Sequence, residues 1–364
     1  MGKFYSIEEV NTGRQTEFDV ARTYSIVGMI LAHCYECVSF QLTSGFGYIV
    51  TTLLGGFLGA PLFMCYMGAV TRYSKKSTPK GLAIRGSIIF GLAYVLNIFR
   101  RIIPTWILAI RWKEIYPLSY SIALLVGNDI LQFAGLALIT IALVKKFRIR
   151  DWTFITFSVV LSIIGMLTDG FDTGSQIGNS LLGVLIGTRL YDISGGFFSY
   201  CHYLIFVAAG YAAGEYWKHI KDKKSFYKRV SPVSAVIFIA AFAIEIRFGF
   251  GLFGSGTLRS YYYMSLYDAV ICLFGGLFML GIYYWIDHIL GEKFHRFCLV
   301  MSYNIDIIYF FHLILATWIL NLLVQGLLGI EIKTWMILLT AAVLTAASYV
   351  FAKSIRDPNG DLQK

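Results

Sequence analysis

From Phe18 onward the chain repeats one pattern: an apolar run of about twenty residues, the length a helix needs to cross a bilayer, then a short segment carrying lysine or arginine. Charged residues make up 14% of the 364 residues and hydrophobic ones 57%, against roughly 25% charged in a soluble domain. The expected fold is therefore all-α: a polytopic integral membrane protein with about ten transmembrane helices. The spans fall near residues 18–40, 48–70, 81–103, 118–144, 152–167, 198–217, 231–250, 262–285, 297–325 and 332–352. Residues 1–17 form an N-terminal segment, 18–352 the membrane domain and 353–364 a tail.

Lysine and arginine concentrate in alternate connections, for example Arg72 to Lys80, Lys145 to Arg150 and Lys218 to Arg229. The positive-inside rule then puts both termini in the cytoplasm of a cell-membrane, multi-pass protein. The cluster Arg100, Arg101, Arg111 and Lys113 is the exception, because this topology makes it external. The net charge of +10 is thus a topology signal. No basic–aromatic motif accompanies it, so nucleic acid is excluded as a partner and membrane lipid is expected. The first seventeen residues hold no apolar core, so no cleavable signal is expected there. The longest external connection, 168–197, carries Asp169, Asp172 and Asp192. Either it touches a polar substrate or it is a solvated loop with a short amphipathic helix near 180–190.

Ionisable groups in a bilayer are costly and mark function or interhelical bonding. The first span holds Asp19, Arg22, His33 and Glu36. Arg22 and His33 are eleven residues apart, which is three helical turns plus about 20°, so both lie on one face, about 16 Å apart along the axis. A cation near one surface and a deep imidazole suit the two ends of an elongated ligand. Imidazole titrates near neutrality, which suits acid–base work, and Glu36 at i+3 is placed to orient the ring. Span three begins with Arg85 and has Asn97 near its outer end; two arginines at one depth suit a phosphate anion. Span four carries Asn128, Asp129 and Gln132 near its middle, with Asn128 and Gln132 sharing a face and Arg22 or Arg85 available to Asp129. Span nine carries Ser302, Asn304, Asp306, Tyr309 and His312. His202 sits near the outer border of span six, where an interfacial role suffices. Plain interhelical hydrogen bonding remains open for all of these.

Six cysteines lie in or at the edge of spans and read as inert buried thiols. Cys34 and Cys37 lie beside His33, but no fourth ligand is evident, so no metal is expected. Two functions suit such a chain. One is group transfer across the membrane. The other is a secondary transporter or flippase for a polar small molecule or lipid-linked sugar, using Asp129, Asp306, His33 and His312 as a path. No two-half repeat is visible, which counts against an inverted-repeat transporter.

The stretch FDVARTYSIVGMILAH resembles the start of bacterial membrane acyltransferases, where an Arg is followed after ten residues by His. This superfamily includes acyltransferase-3, YeiB-like and heparan-α-glucosaminide N-acetyltransferase groups. LFMCYMGAV, IRGSIIFGLAYVLN, NDILQFAGLAL, YLIFVAAGYAAGEY and SYNIDIIYFFH are similar to later spans of that group, in order, from about residue 18 to 320. Thr23-Tyr24-Ser25 departs from the small apolar residues usual after the Arg. The resemblance implies transfer of an acyl group, usually acetyl, from cytoplasmic acetyl-CoA to a hydroxyl or amine of a glycan or small-molecule acceptor on the far side. His33 is then the catalytic base or acyl relay, and Arg22 and Arg85 hold the CoA phosphates. Asp129 and His312 assist catalysis, and Glu36, Asn97, Asn128 and Gln132 bind the acceptor. A homo-oligomer is compatible with this reading.

Overall fold

Apolar sequence of helical length gives helices almost throughout. The computed structural model describes residues 4–37, 59–74, 77–191, 195–255 and 261–358. Among these there is no β-strand, only the isolated bridges Tyr5 to Ile220 and Phe171 to Thr188. In order the α-helices are α1 (Thr16–Glu36), α2 (Ala60–Tyr73), α3 (Pro79–Asn97), α4 (Ile103–Trp112), α5 (Leu118–Val126), α6 (Ile130–Lys146) and α7 (Asp151–Leu167). They continue as α8 (Gln176–Gly183), α9 (Tyr200–Lys218), α10 (Lys223–Phe248), α11 (Gly251–Ser255), α12 (Leu266–Ile289), α13 (Gly291–Tyr303), α14 (Ile305–Ala316) and α15 (Thr334–Ile355). Residues 38–40 and 48–58, the ends of the first two expected spans, lie outside the described residues, as does Asp192.

Five helical stretches among the described residues are long and apolar enough to cross a membrane: Pro79–Trp112, Lys223–Phe248, Leu266–Ile289, Ile305–Leu327 and Thr334–Ile355. The pair α5 and α6, bent by 47°, makes a sixth if it counts as one span. Helix α1, with Glu17, Asp19, Arg22 and Glu36 in its 21 residues, is not among the five.

Three spans differ from the sequence expectation. The third runs on through a π-helical stretch at Ile98–Ile102 into α4, giving one path of 34 residues. The basic residues Arg100, Arg101 and Arg111 all ride on this helical path, where the sequence expectation ended the span at residue 103. The fourth is broken at Gly127-Asn128-Asp129, so Asp129 does not sit inside one continuous helix. Its backbone is extended (φ −148°, ψ 169°) and it is the N-cap of α6. The ninth is broken at Asn304 between α13 and α14, then turns π-helical from Thr317 to Leu327. In the connection 168–197 the short helix α8 lies at Gln176–Gly183, a little before the expected place.

Contacts divide the chain into two units. One comprises Met1–Arg14, Ala60–Asn97 and Leu118–Phe278; the other comprises Gln15–Gly59, Ile98–Pro117 and Met279–Lys364. In the first unit, glycines let backbones touch. A Cβ at Gly210 of α9 would overlap the Cys65 carbonyl on α2, and one at Gly68 of α2 would overlap the Val207 carbonyl on α9. Gly86 on α3 and Gly135 on α6 are related in the same reciprocal way, each added Cβ falling 2.6 or 2.7 Å from the other's carbonyl oxygen. Lipid supplies no hydrophobic drive between helices, so such close van der Waals approach holds them. In the second unit, α1 packs against α13, α14 and α15. Its buried face includes Phe18, Ala21, Ile26, Ile30 and Cys34.

Candidate functional site: a histidine pair and a capped helix break

The second unit brings His33 of α1 to His312 of α14. His33 Nδ1 lies 2.9 Å from His312 Nε2. The other nitrogen of His312, Nδ1, lies 2.7 Å from the Ile308 carbonyl. A carbonyl only accepts, so His312 Nδ1 donates to it. In the neutral pair His312 Nε2 must then accept, and His33 Nδ1 must donate. That leaves His33 Nε2 as the unprotonated nitrogen of its ring. Tyr309 closes the edge of both rings, with centroids 6.1 Å from His33 and 5.7 Å from His312. His312 is fully buried and His33 half-buried, and the free lone pair of the pair is on His33.

Three turns earlier on α1, half-buried Arg22 points its Nη1 to Ser302 Oγ at 3.5 Å. Ser302 donates to Asp19 Oδ1 at 2.6 Å, which ties α13 to α1. Thr23 donates to the carbonyls of Asp19 and Cys298. Glu36 is half-buried, one turn past His33. Asp306 faces outward and pairs with Arg356 at 3.3 Å. Asn304, at the break, donates to the Val300 and Arg356 carbonyls. All six cysteines are free thiols.

In the first unit, Asn97, Asn128, Asp129 and Gln132 all meet at the break in span four. A break inside an apolar medium exposes backbone groups that must find partners. Asn97 Nδ2 donates to the carbonyls of Leu125 (2.8 Å) and Gly127 (2.7 Å). Gln132 Nε2 also reaches Gly127 O, at 3.2 Å, and its Oε1 accepts from the Asp129 N–H at 2.9 Å. Asp129 Oδ1 accepts from the Ile130 N–H at 2.7 Å, completing a capping box with Gln132. Asn128 donates to the Gly195 carbonyl at 2.8 Å, anchoring the break to the long connection. Arg85 lies exposed on α3.

Two clusters have members that the sequence reading treated as ordinary or passed over. His202 is buried and bridged on both sides, by Asp169 Oδ1 at 2.8 Å from Nε2 and by Ser199 Oγ at 2.6 Å from Nδ1. Ser199 is fully buried and Asp169 is partly exposed, so the carboxylate, not the hydroxyl, faces out. The cluster therefore fixes the long connection onto α9 and presents no exposed nucleophile. Glu245 and Asp268 are both buried around Gly251, with Asp268 capping the backbone of Leu252 and Ser265. Asp268 is sixteen residues from Leu252, beyond the reach of any local motif. Among the described residues no group of three or more His, Cys, Asp or Glu side chains is arranged to hold a metal.

Long apolar helices with buried imidazoles, carboxylates and amides between them define a multi-pass helical membrane protein. The family model described as heparan-alpha-glucosaminide N-acetyltransferase, catalytic, matches residues 14–246, well over half of the chain, and the chain belongs to that family. Membership gives it the character of a membrane acetyltransferase. No curated protein and no solved structure matches it. The matched region holds Arg22, His33, Arg85 and the capped break, and it ends before His312.

Proposed function

We propose that this chain moves an acetyl group from cytoplasmic acetyl-CoA to a hydroxyl or amine of a glycan or other acceptor across the cell membrane. On this reading the chain has about ten spans, the number its apolar runs supply, with both termini in the cytoplasm. The observation that carries it is the hydrogen-bond chain from the Ile308 carbonyl through His312 to His33, which leaves His33 Nε2 unprotonated. As a base, Nε2 takes the proton of the acceptor hydroxyl or amine while that atom attacks the thioester carbonyl. The C–S bond then breaks, and the departing thiolate is reprotonated. As a relay, Nε2 itself attacks the carbonyl, the thiolate leaves, and the acyl-imidazole is passed to the acceptor. Arg22 and Arg85 hold donor phosphates by charge-assisted hydrogen bonds. His312 positions His33, Asp129 assists, and Asn97, Asn128, Gln132 and Glu36 serve as acceptor-binding residues.

The test uses protein purified in detergent, acetyl-CoA as donor and glucosamine as probe acceptor, with release of free thiol and binding of acetyl-CoA read separately. His33→Ala is expected to keep donor binding and lose transfer by about 10²- to 10⁴-fold. Arg22→Ala is expected to lose donor binding. Full transfer by His33→Ala overturns the assignment of His33.

A further inference from the structure

The first unit contains a cleft that the histidine pair does not use. It has a volume of about 650 Å³ and is lined by Arg72, Lys145, Arg148, Arg150 and Lys218, with Asp151 and Glu215 as the acidic groups. Five cations thus face two carboxylates. Both carboxylates are already engaged. Arg72 meets Glu215 at 2.7 Å and Asp151 at 2.9 Å while stacking on Tyr211, and Lys218 meets Glu215 at 3.0 Å. Lys145 is held by the carbonyls of Thr71 (2.6 Å) and Ser77 (3.0 Å). These contacts fix a cationic floor. Arg148 and Arg150 are different: both are exposed, and among the described residues neither side chain has an ion-pair or hydrogen-bond partner.

The backbone singles out the same place. Arg148 has φ +50°, a conformation that glycine usually takes at a helix end. Its turn is closed by Ile149 N–H to the Val144 carbonyl at 2.9 Å. Arg148 keeps this glycine-like conformation while lining the cleft together with Arg150. Arg150 is also the N-cap of α7 and gives it no side-chain cap, so the first-turn N–H groups add to the positive potential. Trp152 stands on the rim, 62% exposed.

We propose that this cleft is a phosphate-binding site, taking a ligand with at least two phosphate charges between Arg148, Arg150 and the fixed floor of Arg72, Lys145 and Lys218. Planar guanidinium groups suit phosphate oxygens, and the surplus of cations is balanced by a polyanion. Such charges come either from a soluble diphosphate or from clustered headgroups of anionic phospholipid. The site stands whether or not the chain transfers acetyl groups, because its readout is binding alone.

The experiment compares wild type with Arg148→Gly/Arg150→Ala in phosphatidylcholine nanodiscs. Glycine suits φ +50° at position 148, so this variant removes both charges without straining the fold, which a thermal melt checks. Pyrophosphate is titrated first, and fluorescent phosphatidylglycerol is then added as the lipid probe. Pyrophosphate affinity about tenfold or more lower in the variant supports the site and a soluble ligand. Indifference to pyrophosphate with phosphatidylglycerol retained only by wild type supports the site and a headgroup ligand. Equal behaviour of wild type and variant toward both probes overturns the proposal. So does an equal loss in Arg247→Ala, an exposed arginine outside the cleft, since bulk charge would then explain the binding.

Discussion

His312 reads the tautomer of His33: its Nδ1 is held by the Ile308 carbonyl at 2.7 Å, and its Nε2 accepts from His33 Nδ1 at 2.9 Å. Removing His312 frees His33 to protonate either nitrogen. His312→Ala is expected to lower kcat by at least about tenfold, toward the about 10⁴-fold that a wrong tautomer costs in a serine-protease triad. KM for acetyl-CoA is expected to change little. His312→Gln, whose amide oxygen still accepts, is expected to recover part of kcat. An unchanged pH–rate profile in His312→Ala would show that the pair is only packed together.

The glycine contacts give opposite signs at two positions. Gly210→Ala is expected to destabilise by about 1–3 kcal/mol, because the new Cβ overlaps the Cys65 carbonyl. Gly91, inside α3, has open space where its Cβ would stand. Gly91→Ala is expected to stabilise by up to about 1 kcal/mol through helix propensity. Thermal melts of the two variants in one detergent decide this.

Asn97 satisfies two carbonyls at the helix break. Asn97→Leu keeps much of the volume and leaves those acceptors without their donor. A loss of about 1–3 kcal/mol is expected. Hydrogen exchange of the backbone between Val126 and Ile130 should accelerate with it if the break is what loosens.

Asp172 holds the long connection after α7 together. It accepts from Asn179 Nδ2 (3.0 Å), the Gly174 N–H (2.9 Å), Arg189 (3.0 Å) and Tyr191 (3.1 Å). These bonds, that from Asn179 first, lower its pKa from the ordinary 3.8 to about 2. A lowered folded-state value means the stabilisation is full above about 3.8 and is lost as pH falls through about 2. Hydrogen exchange in residues 170–190 is expected to accelerate across that window and not between pH 5 and 8. Asp172→Asn should exchange fast throughout.

Helical, membrane-spanning character was legible in the spacing of apolar and basic segments, because bilayer thickness fixes helix length. The family was legible in the order of short motifs. The break in span four was readable in part: Gly127-Asn128-Asp129 is turn chemistry, and Asp129 with Gln132 is a D-x-x-Q cap. The apolar run on either side hid it, since the same residues also suit one continuous span. The pairing of His33 with His312 was out of reach, because helical periodicity says which residues share a face but not which face meets another 279 residues away. Lys145, Lys146, Arg148 and Arg150 were read for topology alone, as their closeness to Arg72 and Lys218 depends on how α2, α6, α7 and α9 end together.

The hydrogen bond from Ser302 to Asp19 spans 283 residues of chain. At a synthesis rate of about 5–20 residues per second, Asp19 waits roughly 15 to 60 s for that partner to be made. Through that time α1 carries an acid and an arginine whose shared neighbour Ser302 has not yet been translated. Helix α1 is thus completed late, since its buried acid gains the Ser302 hydroxyl only once α13 has been made.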